Sequence, residues 1–231
     1  MTAELVRTWS APRPRGVVLL LHGASRPGPT PAARWGPSAL RMMPIAAATI
    51  LTGLGRVTVL RLIRGSRGWT SGSSSAVGDT RWALEQIRQR YPNVPVALVG
   101  HSMGARAALH VADDPAVTVV IGLAPWITRS EPARLTAGQR VILLHGLSDR
   151  TTSWRASSNL IDNAQGIATS ATMVKYPAQG HILLGQGDAA GRLAAQAAVS
   201  VLTRGGTPPR GASPLLRAVL DTTQPLLDQR V

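Results

Sequence analysis

Short apolar runs alternate with amphipathic or Ala-rich stretches along most of this chain. Gly16–His22, Arg56–Ile63, Val94–Gly100, Val117–Leu123, Arg140–Gly146 and Thr172–Tyr176 are rich in Val, Leu and Ile. Apolar runs of this length between turn residues read as buried strands. A shorter edge strand is expected around Leu5–Trp9. Between the strands, Ser38–Leu51 has helical spacing and stops at Gly53 and Gly55. Thr80–Tyr91 is amphipathic, with Trp82, Leu84, Ile87 and Tyr91 assigned to the sheet side. Ala105–Ala112 and Ala189–Leu202 have strong helix propensity. Thr151–Ala164 suits a helix with Thr151 or Thr152 near its cap.

Strands alternating with helices in this way predict an α/β domain. Its core is a doubly wound, mostly parallel sheet with helices on both faces. Pro and Gly mark an irregular loop over Arg26–Pro37, and Gly and Ser mark another over Gly65–Ser75. Pro125–Gly138 leaves room for one short helix, so no sizeable cap and an open, shallow site are expected. After Arg204 the composition shifts to Pro, Gly and Arg. The chain therefore divides into a domain over 1–203 and a tail over 204–231, which could dock through Leu215–Leu220.

One junction carries chemistry. The run Val94–Val99 leads straight into Gly100-His101-Ser102-Met103-Gly104, and a helix-forming segment follows. Gly-x-Ser-x-Gly between strand and helix is a nucleophile elbow: a cramped turn that exposes the Ser hydroxyl above the sheet. Gly100 and Gly104 let strand and helix approach closely there. A serine hydroxyl needs a base within hydrogen-bond reach. Of the five histidines, His181 follows the last strand and comes after Ser102 in the chain. His101 is expected to point away inside the elbow, His110 to lie mid-helix, and His22 and His145 to bond backbone at strand ends. Asp149 follows the strand ending at Gly146 and is the candidate acid; it could also cap the next helix. The Met103 amide and the Ala24 amide, in the turn His22-Gly23-Ala24, are the candidate oxyanion donors. Gly23, Ser102, Asp149 and His181 all follow strands, so they share the rim where such sheets bind ligands.

Together, Val99-Gly-His-Ser102-Met-Gly104, His22-Gly23, His145-Gly-x-x-Asp149 and Gly180-His181 resemble the α/β-hydrolase superfamily across nearly all of the chain except the tail. Within it the chain is similar to small, lidless bacterial serine hydrolases of the esterase-like and dienelactone-hydrolase-like kinds. True dienelactone hydrolases carry Cys at the nucleophile, and haloalkane dehalogenases carry Asp, so Ser102 departs from both. The resemblance implies a catalytic set of Ser102, Asp149 and His181, with no cofactor. It leaves ester, thioester and amide substrates open. Trp126, Ile127, Trp154 and Ile182 are candidates for an apolar acyl pocket, and each is equally readable as core packing.

Composition changes the picture only at the edges. The chain has 231 residues, a formal charge of +14, no Cys and no Phe. Of its 25 basic residues only Lys175 is a lysine, and the arginines are dispersed rather than run together. A nucleic-acid binder concentrates its charge in a stripe or tail, so no specific nucleic-acid partner is expected. A basic, non-catalytic binding protein on the same fold stays as the second reading. No signal peptide or membrane-length apolar run is present, which makes the cytoplasm the expected compartment. No metal-ligand cluster, phosphate loop or dinucleotide fingerprint stands out. The partner expected is a small acyl compound, and the sequence is silent on oligomeric state.

Overall fold

A computed structural model describes residues 3–24, 32–65, 68–69, 75–128 and 134–221. The loops read over 26–37 and 65–75 fall in large part outside these residues, as does the end of the tail, 222–231. Among the described residues, seven strands form one sheet: β1 (Glu4–Trp9), β2 (Gly16–Leu21), β3 (Val57–Ile63), β4 (Val96–His101), β5 (Val117–Leu123), β6 (Arg140–Gly146) and β7 (Ser170–Tyr176). Their spatial order is β1-β3-β2-β4-β5-β6-β7. Only β1 runs antiparallel, pairing with β3 at the edge. Strands β2, β3 and β4 are buried along their whole length, because helices cover both faces.

Those helices are α1 (Pro37–Leu40), α2 (Met43–Gly53), α3 (Ser75–Arg90), α4 (Met103–His110), α5 (Trp154–Ala164), α6 (Gly185–Arg204) and α7 (Pro214–Leu220). On one face Met42, Ile45, Leu193 and Val219 pack with Val18, Val99 and Ile121. On the other, Leu84, Ile87, Leu109 and Ile161 pack with Leu19, Leu98 and Val120. Burying each Leu or Ile of this kind stabilises by about 1.5–3 kcal/mol. Among the described residues, no helix is long and apolar enough to cross a membrane.

Two details depart from the sequence reading. Trp82 is 39% exposed rather than turned to the sheet. Two residues before Leu84 it stands on the opposite side of α3, and Ala76, Thr80 and Ala83 fill the buried face instead. The α5 cap is Ser153, whose hydroxyl accepts from the Ala156 amide at 3.3 Å. The Thr152 hydroxyl is instead turned to Asp149 Oδ2, at 2.6 Å. The docking expected of the tail agrees with α7, which is capped by Ser213 and buries Leu216, Val219 and Leu220 in the core.

The winding also fixes where a site can form. From β2 the chain moves outward to β3, then crosses back to place β4 on the other side of β2. The order reverses between β2 and β4, and at such a switch point the two connections diverge and leave a crevice. Gly23 follows β2 and Ser102 follows β4, so the two lie at its mouth.

Candidate active site

Ser102 joins β4 to α4 with φ 54° and ψ −117°, a backbone conformation that a non-glycine residue adopts only under constraint. The constraint is visible on both sides. The Ser102 amide donates to Leu123 O at 2.9 Å, and Ser102 O accepts from Arg106 and Trp126 amides at 3.2 Å. A Cβ on Gly104 would lie 2.1 Å from Leu21 O, and one on Gly100 would lie 2.4 Å from Ala105 N. Only glycine lets helix and strands meet this closely. The Met103 amide opens α4, in the first turn where N–H groups lack intrahelical partners and the helix dipole is positive.

His181 and Asp149 meet across two neighbouring strand ends. His181 Nδ1 donates to Asp149 Oδ2 at 2.9 Å. Backbone bonds stitch the two loops together: Leu147 N to Tyr176 O at 3.0 Å and Ser148 N to Gln179 O at 3.1 Å. The loop after His181 is pinned from the far side by Arg41. This guanidinium donates to Ile182 O and Leu183 O and forms a buried ion pair with Asp188 at 2.9 Å. Among the described residues no hydrogen bond joins Ser102 Oγ to the His181 ring, whose Nε2 is the nitrogen not facing Asp149. In uncomplexed sites such bonds are commonly long and tighten when substrate binds.

Asp149 collects donors on both oxygens. Oδ1 accepts from the Thr151 and Thr152 amides at 2.7 and 3.0 Å. Oδ2 accepts from the Thr152 hydroxyl at 2.6 Å as well as from His181. Burial alone would raise this carboxyl's pKa; the Thr152 hydroxyl, the His181 ring and the two amides outweigh it and hold the group well below the usual carboxylate range. Asp149 is therefore ionised, as a partner that stabilises a protonated imidazole must be.

Two histidines that the sequence pattern does not single out belong to this network. Besides a backbone bond at Thr152, His145 has Nε2 3.2 Å from Asp149 Oδ2 and Nδ1 2.8 Å from Ser157 Oγ. Burial lowers its pKa to about 4, against the pull of Asp149, so it is neutral. Facing a carboxylate, Nε2 carries the proton and donates, and Nδ1 accepts from Ser157. The spacing His145-x-x-x-Asp149, with a strand ending at Gly146, is the signal that could have found it. His101 does not point away: its Nε2 donates to His181 O at 3.0 Å, and the two rings lie 5.0 Å apart. It too is lowered to about 4 by burial. His22 does bond backbone, donating from Nδ1 to Gly23 O at 2.7 Å. His110 closes α4 rather than lying in its middle, with its ring 5.2 Å from that of Trp69.

The four pocket candidates separate. Trp126 is 38% exposed and tied to Ser102 through its amide, with its ring 4.8 Å from the Arg106 guanidinium. Ile182 is 55% exposed beside His181. Ile127 is 8% exposed, packs in the core with Leu160 and Ile161 of α5, and also lines a cavity beside Ala156 and Asn159. Trp154 packs against the same core, with Arg155 and Lys175 over its ring.

A mostly parallel sheet in this strand order, passing from β4 into α4 through a strained residue at its switch point, is the arrangement of the α/β-hydrolase fold. The comparisons agree. Residues 51–141 match the model of the serine aminopeptidase (S33) family. The chain is similar to a lidless α/β serine hydrolase from Xanthomonas campestris, at 19% identity and TM-score 0.61, covering 90% of each chain. An α/β serine hydrolase homologue from Coxiella burnetii shares 17% identity at TM-score 0.60, over 84% of this chain and 90% of that one. The Bacillus cereus carboxylesterase shares 19% at TM-score 0.56, over 83% and 92%. No curated protein sequence matches the chain. These likenesses show that the chain has the α/β-hydrolase fold.

Proposed function

We propose that the protein is a serine hydrolase that cleaves carboxylic esters or thioesters of small acyl groups through an acyl-enzyme on Ser102. The observation that carries the reading is the strained Ser102 at the head of α4, together with a buried, ionised Asp149 that holds Nδ1 of His181, whose carbonyl is bonded by His101, the residue before Ser102. In this reading His181 Nε2 takes the Ser102 proton as Oγ attacks the acyl carbon, and Asp149 stabilises the imidazolium. The amides of Met103 and Ala24 receive the developing oxyanion, each donor being worth about 3–4 kcal/mol in such sites. His181 then gives its proton to the leaving alcohol or thiol. Water, deprotonated by the same ring, releases the acid and restores Ser102.

The serine aminopeptidase match over 51–141 supports a second reading, amide hydrolysis on the same residues. Turnover of amino-acyl anilides against matched esters separates the two. The test of both is covalent labelling with a fluorophosphonate, located by mass spectrometry, on wild type and Ser102→Ala. We expect an adduct on Ser102 alone, and none in a variant that still folds. A folded wild type that takes no label removes the hydrolase reading and leaves the basic binding protein.

A further inference from the structure

We propose that Arg64 is a positioning residue for the oxyanion site, acting through the Gly23–Ala24 peptide; this deepens the hydrolase reading and rests on it. Arg64 follows β3, next to β2 in the sheet, and its side chain reaches back under the turn after β2. Its Nη2 donates to Gly23 O at 2.9 Å, and the His22 Nδ1 donates to the same oxygen at 2.7 Å. Two donors thus fix one carbonyl. The peptide is trans and planar, so its N–H points opposite to its C=O. With the carbonyl held on the Arg64 side, the Ala24 N–H is held on the other. Gly23 itself lies against the nucleophile, since a Cβ there would sit 3.2 Å from both Ser102 Cβ and His101 Nδ1. A side chain there would crowd both by a few tenths of an ångström, and glycine leaves the turn otherwise free to rotate. The clamp removes that freedom.

The other Arg64 nitrogens strengthen the case. Nη1 lies 4.0 Å from Met103 Sδ, so one guanidinium touches both residues assigned to the oxyanion turn and elbow, Gly23 and Met103. Nε is buried without a hydrogen-bond partner, and the residue as a whole is only 3% exposed. Among the described residues no carboxylate bonds to it; Asp79, the acid that acts on it electrostatically, accepts instead from the Gly65 amide at 2.9 Å. Burial lowers Arg64 only to about 10, so the cation persists. Burying a charge without a bonded counter-ion costs stability relative to an apolar side chain. Its contacts lead to the oxyanion turn, and preorganising donors before charge develops is what such a site requires.

The experiment compares wild type, Arg64→Met and Arg64→Lys. It measures kcat and KM on 4-nitrophenyl acetate, and affinity for phenylboronic acid, which forms a tetrahedral adduct with an activated serine. We expect Arg64→Met to lose at least tenfold in kcat with KM within threefold, and to lose boronate affinity by a similar factor. Arg64→Lys, which keeps the charge and a donor, recovers part of both. A folded Arg64→Met with kcat within twofold of wild type, or with its loss confined to KM, overturns the proposal. If Arg64→Met does not fold, amide resonances of the wild type decide: boronate should shift Ala24 and Met103 together, and an unmoved Ala24 overturns it. Fluorophosphonate labelling keeps the two levels apart. An unlabelled wild type removes the hydrolase reading and this inference with it, whereas a labelled wild type with an indifferent Arg64→Met removes only the inference.

Discussion

On the Ser102 side of the site the main chain does the positioning. α4 presses so closely on β4 at Gly100, and on the end of β2 at Gly104, that neither glycine has space for a methyl group, and the serine itself is forced to positive φ. On the His181 side, side chains do much of it: Thr152, His145 and His181 converge on Asp149, and Arg41 holds the following loop by its carbonyls. The difference teaches how each half should fail. Backbone packing has no intermediate state, so an added atom there costs the fold. A side-chain network loses function in steps, one hydrogen bond at a time.

The sharpest way to break this contrast is Gly104→Ala. Its Cβ would meet Leu21 O at 2.1 Å and His22 O at 2.7 Å, and neither strand end can move without disturbing the sheet. We expect a loss of at least about 3 kcal/mol, the upper end for overpacking, seen as a melting temperature far below wild type or as insoluble protein. A variant that melts within a few degrees of wild type would mean that the close approach is not needed. Next in size is Asp149→Asn, which keeps the shape of the acid but not its charge. Here we expect a folded but less stable variant with kcat down by about a thousandfold or more, the scale seen when an acid of this kind is replaced. Loss of folding in that variant would put Asp149 with the backbone half instead.

The same contrast explains how much of the molecule is legible in its sequence. Strands buried on both faces and a Gly-x-Ser-x-Gly junction are written in short-range pattern, and so are Ser102 and the turn at Gly23. The Asp149–His181 bond follows from chain order. The rest of the network does not, because it depends on distances between residues far apart in sequence. His101 and His145 look like ordinary strand-end histidines until the β7 loop and α5 are in place above them. Arg64 looks like one of many dispersed arginines until β3 sets it beneath the Gly23 turn. Trp82 departs for a simpler reason: its aromatic bulk suggests burial, but its angle on α3 puts it on the exposed side of the helix.

A smaller effect comes from acid. His22, His101 and His145 are each lowered to about 4 in the folded chain, against about 6.5 when unfolded. Between those values the unfolded chain binds more protons, so stability rises with pH across that window and falls on acidification. Asp149 acts later: its folded pKa is depressed, so its contribution is present above the ordinary carboxylate value and is lost as pH falls below that. We expect the melting temperature to decline from about pH 6.5 towards pH 4, ahead of carboxylate protonation. His145→Gln should flatten part of that decline. An unchanged melting temperature across the window would show that these rings are not held neutral by burial.

The smallest effect is expected at Gly180, and it tests the comparison from the opposite direction. Gly180-His181 looks in sequence like the partner of Gly100 and Gly104, a glycine fixed by a catalytic neighbour. The structure treats it differently: a Cβ there would have nothing within 4 Å, and its φ lies outside the left-handed region. Its carbonyl accepts from the Leu183 amide at 3.3 Å, a bond indifferent to the side chain. Ala should therefore fit without displacement, and the stiffer unfolded chain should make Gly180→Ala neutral or more stable by about 0.4–1 kcal/mol. The position of His181 is set by Asp149, His101 and Arg41, none of which the methyl group would touch, so kcat should stay within about twofold. A drop in melting temperature would instead place this loop under the same steric rule as the elbow, and the division between a backbone-built and a side-chain-built half would no longer hold.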